Sequence, residues 1–473
     1  MTVHKKSSLL DRAFRNLRGV WGKIARTYED FSEVDLSPDL SGGDRARLIG
    51  QMRACLEARG GEVSARSRAA ALGQAYLALN DTGHKVFLCV LAEEFDVDHT
   101  RVDRAVAGLQ EAASKSEREL AETELKSALQ APRVTLLTQF NALPEGVKFL
   151  VDLRAELISL LGDVPELKGL ESDLKTLLTS WFDVGFLDLR QITWNAPAQL
   201  LEKLIAYEAV HEIQSWDDLK NRLASDRRCF AFFHPRMPDE PLIFVWVALV
   251  RGMADNVQVL LDARAPQEDA EAADTAVFYS ISNAQTGLRG IPIGSFLIKR
   301  VVDRLTGELN GLKTFATLSP VPGFRAWLDK ILTEEGAEQI DAAEGVGRSK
   351  AAGVDYPLAA IRRLLARPNW FEDDKASDPL RGPLLRLCAR YLIEERRPRG
   401  TTLDSVAHFH LRNGARLERL NWLADRSERG ITQSAGIMIN YVYELDKIDA
   451  FHEAYTGRGE VTTSREVDNL LKA

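Results

Sequence analysis

Apolar residues recur at three- and four-residue steps through most of the first 181 positions. Phe14, Leu17, Val20, Trp21 and Ile24 form one series, Leu48, Met52, Cys55 and Leu56 a second, and Leu72, Tyr76, Leu77 and Leu79 a third. Val102, Val106, Leu109, Leu125 and Leu129 continue the pattern. This period predicts amphipathic helices, broken at Gly60-Gly61, Asn80-Asp81-Thr82-Gly83 and Ala131-Pro132, where turn formers interrupt it. Short breaks favour antiparallel neighbours, so residues 1–181 are expected to be an all-α domain with solvated charged faces.

The pattern changes after Trp181. The aromatic stretch 182–194 marks a junction, and helices are expected over 196–210 and 215–223, with Ser215 a candidate N-cap. Two strand-like runs, 228–233 and 242–250, flank a Pro-rich turn at 235–240 and suggest an antiparallel pair. A third run, 276–282, leads into a loop carrying Gly287, Gly290 and Gly294. Helical spacing at Phe296, Leu297, Val301 and Leu305 follows, and then a short strand over 314–318. Strand, loop, helix, strand is a βαβ unit with parallel strands. A mixed sheet of at least four strands covered by helices is therefore expected over 182–473, an α+β or α/β domain. Residues 265–274 read as an exposed connector, 336–376 as an excursion with a helix at 356–365, and 380–394 as an amphipathic helix.

Composition narrows the functional classes. The net charge of −8, from 61 basic and 69 acidic residues, argues against nucleic acid as the main partner. The longest uninterrupted apolar run, 242–250, is strand-sized, which excludes a transmembrane helix and a membrane partner. Cys55, Cys89, Cys229 and Cys388 are scattered without a C-x-x-C pair, as expected of buried thiols in a reducing compartment and not of a zinc site. The basic N-terminus, with Lys5, Lys6, Arg12, Arg15 and Arg18, resembles a transit peptide faintly and a basic first helix better, so a cytoplasmic location is expected.

Candidate chemistry concentrates in three places. In the loop, glycines let backbone approach a ligand, and the free N–H groups of the helix start near Gly294 suit an anion. Neither G-x-G-x-x-G nor the P-loop pattern is present, and spacing alone leaves a phosphate cradle and a plain tight turn equally open. Ser319 ends the strand after that helix; a serine before proline is ordinarily a turn residue, yet ligands gather at such strand ends. Ser280 and Ser282 share one strand face, either reaching a pocket or bonding across strands. His408 and His410 share a face if extended and diverge if helical, and without a third ligand nearby they do not suggest a metal. His234 and Arg236 sit in the Pro-rich turn: His234 either lines a pocket or is satisfied by backbone, and Arg236 either meets a phosphate or carboxylate or is an ordinary surface arginine.

Several blocks, in one order, closely resemble the malonyl-CoA decarboxylase family. They are FYSIS, the G-L-x-G-x-x-x-G loop, LIKRVV and LSPVPGF within 276–324, FFHPRMPDEPL at 232–242, HFHLRNGARLERLNWLAD at 408–425, and RGIT with NYVY at 429–443. The resemblance implies a catalytic domain related to GNAT acyltransferases that binds acyl-CoA on the loop, through Arg289, Gly290, Ile291, Pro292, Ile293, Gly294 and Ser295. It further implies Ser319 and His410 as catalytic residues, Tyr443 as a pocket residue, and a helical domain that assembles homo-oligomers, dimers or tetramers; of the two FYSIS serines, Ser280 is the one expected at the substrate. Malonyl-CoA would be substrate and acetyl-CoA product, with no cofactor, because the thioester itself accepts the electrons. A CoA-dependent N-acyltransferase and a non-catalytic malonyl-CoA-binding protein are the alternatives.

Overall fold

The computed structural model describes residues 20–25, 36–57, 61–333, 358–398 and 400–472. The expected basic segment with Phe14 and Leu17, and most of the excursion between 336 and 357, lie outside the described residues; 20–25 are helical.

One compact unit comprises Met1–Asp188 with the turn Phe233–Leu242 and the loop Asn283–Ile293. Its helices are Asp44–Leu56, Gly61–Ala78, Asp81–Glu94, His99–Glu111, Lys115–Ala128, Pro132–Phe140, Gly146–Leu160 and Lys168–Trp181. Their starts are encoded locally. Asn80 accepts the Gly83 N–H, Ser114 and Glu117 form a reciprocal capping box, and Pro132 sits where its missing N–H costs nothing. The core packs aromatic edges onto faces: Trp21 on Phe149 at 5.0 Å and Tyr76 on Phe87 at 4.9 Å. His99–Glu111 and Lys115–Ala128 bury only Ala105 and Ala128, and Leu120 and Leu129 stay exposed.

The second unit, Leu189–Phe232, Ile243–Ser282 and Gly294–Ala473, is built on an eight-stranded mixed sheet. Its strands are β1 (Asp188–Ile192), β2 (Arg227–Phe233), β3 (Ile243–Val250), β4 (Thr275–Asn283), β5 (Thr314–Thr317), β6 (Ser319–Pro320), β7 (Arg416–Asn421) and β8 (Met438–Val442). The order is β1-β2-β3-β4-β5-β8-β6, with β7 also on β8. β2 and β3 are antiparallel, with Cys229 opposite Trp246. β4 and β5 are parallel, with Phe278 opposite Thr317, as the βαβ reading requires. The crossover helix Leu297–Glu308 buries Leu297, Ile298, Val301, Val302 and Leu305. β8 runs antiparallel to β5, β6 and β7, so one strand touches both the Ser319 segment and the last third of the chain.

Several elements differ from expectation. The sheet has eight strands, in keeping with at least four, and some escaped the reading because polar β1 (DLRQI) lacks an apolar run and β6 is only two residues long. The strand expected over 314–318 is divided. β5 stops at Thr317, and Ser319-Pro320 pairs with Ile439 and Met438 of β8. The helix expected from 380 begins at Asp374, capped by Asp373, and runs through Pro379 and Pro383 to Ile393. His408 and His410 lie on a helix, Ser405–Arg412, and therefore diverge.

Candidate active site

Within the sheet unit, four side chains from three segments form a buried chain of hydrogen bonds. Ser319, at the β6 end of the strand pair, places Oγ 3.1 Å from Nε2 of His410 and donates to Thr317 Oγ1 at 2.9 Å. The other ring nitrogen, Nδ1, lies 2.8 Å from the Tyr443 hydroxyl, just beyond β8. The Tyr443 hydroxyl has no other hydrogen-bond partner among the described residues, an arrangement in which its O–H can donate to Nδ1 and leave the ring proton on Nε2, facing Ser319. Thr317 is anchored from β8: Tyr441 N–H donates to its Oγ1 at 3.2 Å and Asn440 Nδ2 to its carbonyl at 2.7 Å.

His410 is 3% exposed. Burial pushes its pKa down to about 3, because the low-dielectric surroundings disfavour the imidazolium. The ring stacks on Tyr441, with centroids 4.6 Å apart and planes 23° from parallel. The Tyr441 hydroxyl is buried without a hydrogen-bond partner among the described residues. Burial holds both tyrosine hydroxyls well above their ordinary pKa. The helix carrying His410 is set by Asp404. One oxygen accepts the N–H groups of Val406 and Ala407 at 2.9 Å, and the other accepts Gly323 N–H at 3.4 Å, at the turn after Ser319. A single carboxylate therefore ties together the two segments that present Ser319 and His410.

Gly294, at the start of the crossover, abuts the same helix. A Cβ there would lie 2.9 Å from the ring of Phe409, the residue before His410. His408 turns away to the Tyr455 hydroxyl at 2.8 Å, which gives it a structural partner. Ser280 is buried and donates to Glu208 at 2.7 Å, and Glu208 also accepts Trp246 Nε1–H at 2.8 Å. Ser280 and Ser319 each stand two residues beyond the last registered β4–β5 pair.

Within the helical unit, the glycine loop is docked on two helices. Arg154 is 2% exposed and donates to the carbonyls of Gly287 and Arg289 at 2.5 and 3.0 Å while pairing with Glu171 at 2.6 Å. Gly287 must lack a side chain, since a Cβ would sit 1.8 Å from the Val151 carbonyl oxygen. Gly290 has φ of +78°, and a Cβ there would be 3.3 Å from Lys175 Nζ. Arg289, Gly290 and Pro292 are exposed, whereas Ile291 and Ile293 point into the core and offer a ligand only their backbone. The side chain of Ser295 lies outside the described residues. His234 is satisfied by backbone, with Nε2 3.1 Å from the Trp181 carbonyl and Nδ1 accepting Arg236 N–H at 3.1 Å. Arg236 donates to the Asn141 carbonyl. All four cysteines are unpaired.

The sequence family described as malonyl-CoA decarboxylase C-terminal domain matches residues 185–473, and its N-terminal counterpart matches 95–182. The chain belongs to the malonyl-CoA decarboxylase family. Among its relatives, the mitochondrial malonyl-CoA decarboxylase of Anser anser anser is 38% identical over 392 residues, covering 80% of this chain and 77% of the relative. That of Rattus norvegicus is 37% identical over 396 residues, 80% of each. Crystal structures of malonyl-CoA decarboxylases from Rhodopseudomonas palustris (42% identity, TM-score 0.81) and Agrobacterium vitis (41%, TM-score 0.82) superpose on 90% of this chain, over 99% and 100% of theirs.

Two residues around the buried hydrogen-bond chain of this malonyl-CoA decarboxylase family member escape a reading by motif. Thr317 reads as an ordinary β-branched strand residue and Tyr441 as core. Only the spatial neighbours of each distinguish it.

Proposed function

We propose that this chain is a carboxy-lyase that converts malonyl-CoA to acetyl-CoA and carbon dioxide. The observation that carries the reading is the buried Ser319–His410–Tyr443 hydrogen-bond chain, built from the very blocks that mark the family. In the proposed reaction the bond between the malonyl carboxylate and its α-carbon breaks, and the electron pair moves into the thioester as an enolate. Donors aimed at the enolate oxygen stabilise the charge, an effect worth several kcal/mol in related chemistry. The thioester is the electron sink, so the proposal includes no cofactor.

His410 is assigned proton delivery to the α-carbon. Burial keeps the ring neutral. The malonyl carboxylate, brought beside it, favours the imidazolium, so substrate binding and proton uptake are coupled. The imidazolium then gives its Nε2 proton to the enolate carbon, which leaves the neutral ring protonated on Nδ1, and proton exchange after product release restores the Nε2–H form. Ser319 is assigned a hydrogen bond to the malonyl group. Arg289, Gly290 and Lys175 on the loop side are assigned to the phosphates of coenzyme A, a reading supported by their positive charge and open backbone. Exposed Leu120 and Leu129 on the helical unit support assembly of like subunits there, testable by sedimentation. The four unpaired thiols suit a reducing compartment, which supports a cytoplasmic location; fractionation of the source cells tests it.

The test is incubation of the purified chain with malonyl-CoA, without added metal or cofactor, and mass analysis of the CoA species. Acetyl-CoA and carbon dioxide in equal amounts are expected, with turnover abolished in Ser319→Ala and collapsed in His410→Asn while malonyl-CoA still binds. Intact malonyl-CoA overturns the reading, and release of free CoA only with an amine present points instead to acyl transfer.

A further inference from the structure

The hydrogen-bond chain has a direction, and both of its ends contribute to it. At one end the Tyr443 O–H has only Nδ1 of His410 to donate to among the described residues. At the other, the geometry makes Ser319 the donor and Thr317 Oγ1 the acceptor, at 2.9 Å. Thr317 is wholly buried, and its oxygen is fixed by the Tyr441 N–H from the neighbouring strand. With its own proton committed to Thr317, Ser319 has only lone pairs to offer His410, and so accepts Nε2–H at 3.1 Å. Were that acceptor missing, the Ser319 proton could turn to Nε2 and drive the ring into its other tautomer.

We propose that Thr317 is a positioning residue that sets the proton direction of the chain, parking the Ser319 hydrogen until a substrate carboxylate replaces Thr317 as its acceptor. Nε2–H thereby stays aimed at the site where the proton is needed. Thr317 touches neither substrate nor reacting carbon; it acts through Ser319. The inference rests on the decarboxylase reading for its consequence and on the hydrogen-bond geometry alone for its direction.

Thr317→Val removes the acceptor while keeping the branched shape, and Thr317→Ser restores it. Turnover is expected to fall about ten-fold in Thr317→Val with KM within about two-fold, and to return to within about three-fold of wild type in Thr317→Ser. The decisive readout is the tautomer, from the ring nitrogen shifts of nitrogen-15-labelled histidine, with His410 assigned by comparison with His410→Gln. Wild type and Thr317→Ser should carry the proton on Nε2, and Thr317→Val should show a substantial Nδ1-protonated population. An unchanged tautomer in Thr317→Val, whatever its turnover, overturns the proposal. If the wild type leaves malonyl-CoA intact while the tautomers behave as stated, the reaction falls and the proton direction stands. Should Thr317→Val not fold, a wild-type ring protonated on Nδ1 overturns the proposal by itself.

Discussion

Lowering the pH should expose the buried histidine. The perturbation is a shift from about pH 7 to about pH 5, at which an ordinary imidazole takes up a proton. His410 has an unfolded pKa of about 6.5 and a folded value of about 3. A folded pKa below the unfolded one means that the unfolded chain binds the proton more readily. This residue's contribution is therefore fully present above about pH 6.5 and is lost as the pH falls towards 3. Over the full span, at 1.36 kcal/mol per pH unit, the contribution approaches about 5 kcal/mol; the part lost by pH 5 is about 2 kcal/mol. His211, His234 and His408 are also held down by burial, so total acid sensitivity does not isolate His410. The assay is urea unfolding of wild type and His410→Gln at both pH values, with carbon-13 shifts of labelled histidine followed alongside. The wild type should lose about 2 kcal/mol more than the variant, and the His410 resonance should not titrate above about pH 4. Equal losses in the two proteins, or a His410 midpoint near 6, would refute the reasoning.

Three further outcomes follow from the same geometry. Tyr443→Phe leaves Nδ1 of His410 buried without its donor at a cost of about 1–3 kcal/mol, and turnover should fall about ten- to a hundred-fold with little change in KM; steady-state kinetics checks this. Lys175→Ala should raise KM for malonyl-CoA about five-fold at unchanged kcat, an effect that shrinks as salt is added, because a charge near the loop contributes equally to ground and transition states. Gly287→Ala forces a Cβ to within 1.8 Å of the Val151 carbonyl oxygen and should destabilise the loop by about 1–3 kcal/mol, visible as faster amide exchange over 283–293.

What the sequence made legible was local. The βαβ unit could be read because its strand, glycine loop and helical stripe are each continuous in sequence, and β4 and β5 pair in parallel as that reading demands. Ser319 and His410 could be named from motifs, but their pairing could not, since 91 residues separate a strand residue from one on the helix Ser405–Arg412. The resemblance named His410, and the role left open for His408 turned on whether that segment is helical. Once Asp404 caps the Ser405–Arg412 helix, a two-residue spacing sends the rings to opposite partners, Tyr455 and Ser319. The proline-bearing helix Asp374–Ile393 was read six residues short because Pro379 looks like a boundary; the Asp373 cap and the buried face continuing through Leu380, Leu384 and Leu387 outweigh the lost N–H.

Thr317 illustrates why motif reading stops where it does. Its hydroxyl matters only because Ser319 needs an acceptor on one side so that it can be an acceptor on the other, a relation among four side chains from three segments. Neither composition nor periodicity encodes such a relation, since a buried strand threonine normally reports β-propensity and packing. The chemistry does constrain it. A neutral imidazole can aim a proton at one point only if its other nitrogen is held by a donor and the aimed proton meets a lone pair. Tyr443 supplies the first condition, and Thr317, through Ser319, supplies the second. Burial keeps the ring neutral, and in the proposed reaction a carboxylate ends that state, so direction and timing would have separate physical causes. A variant that alters one should leave the other intact: Thr317→Val should change the tautomer of His410 without bringing its titration into the neutral range.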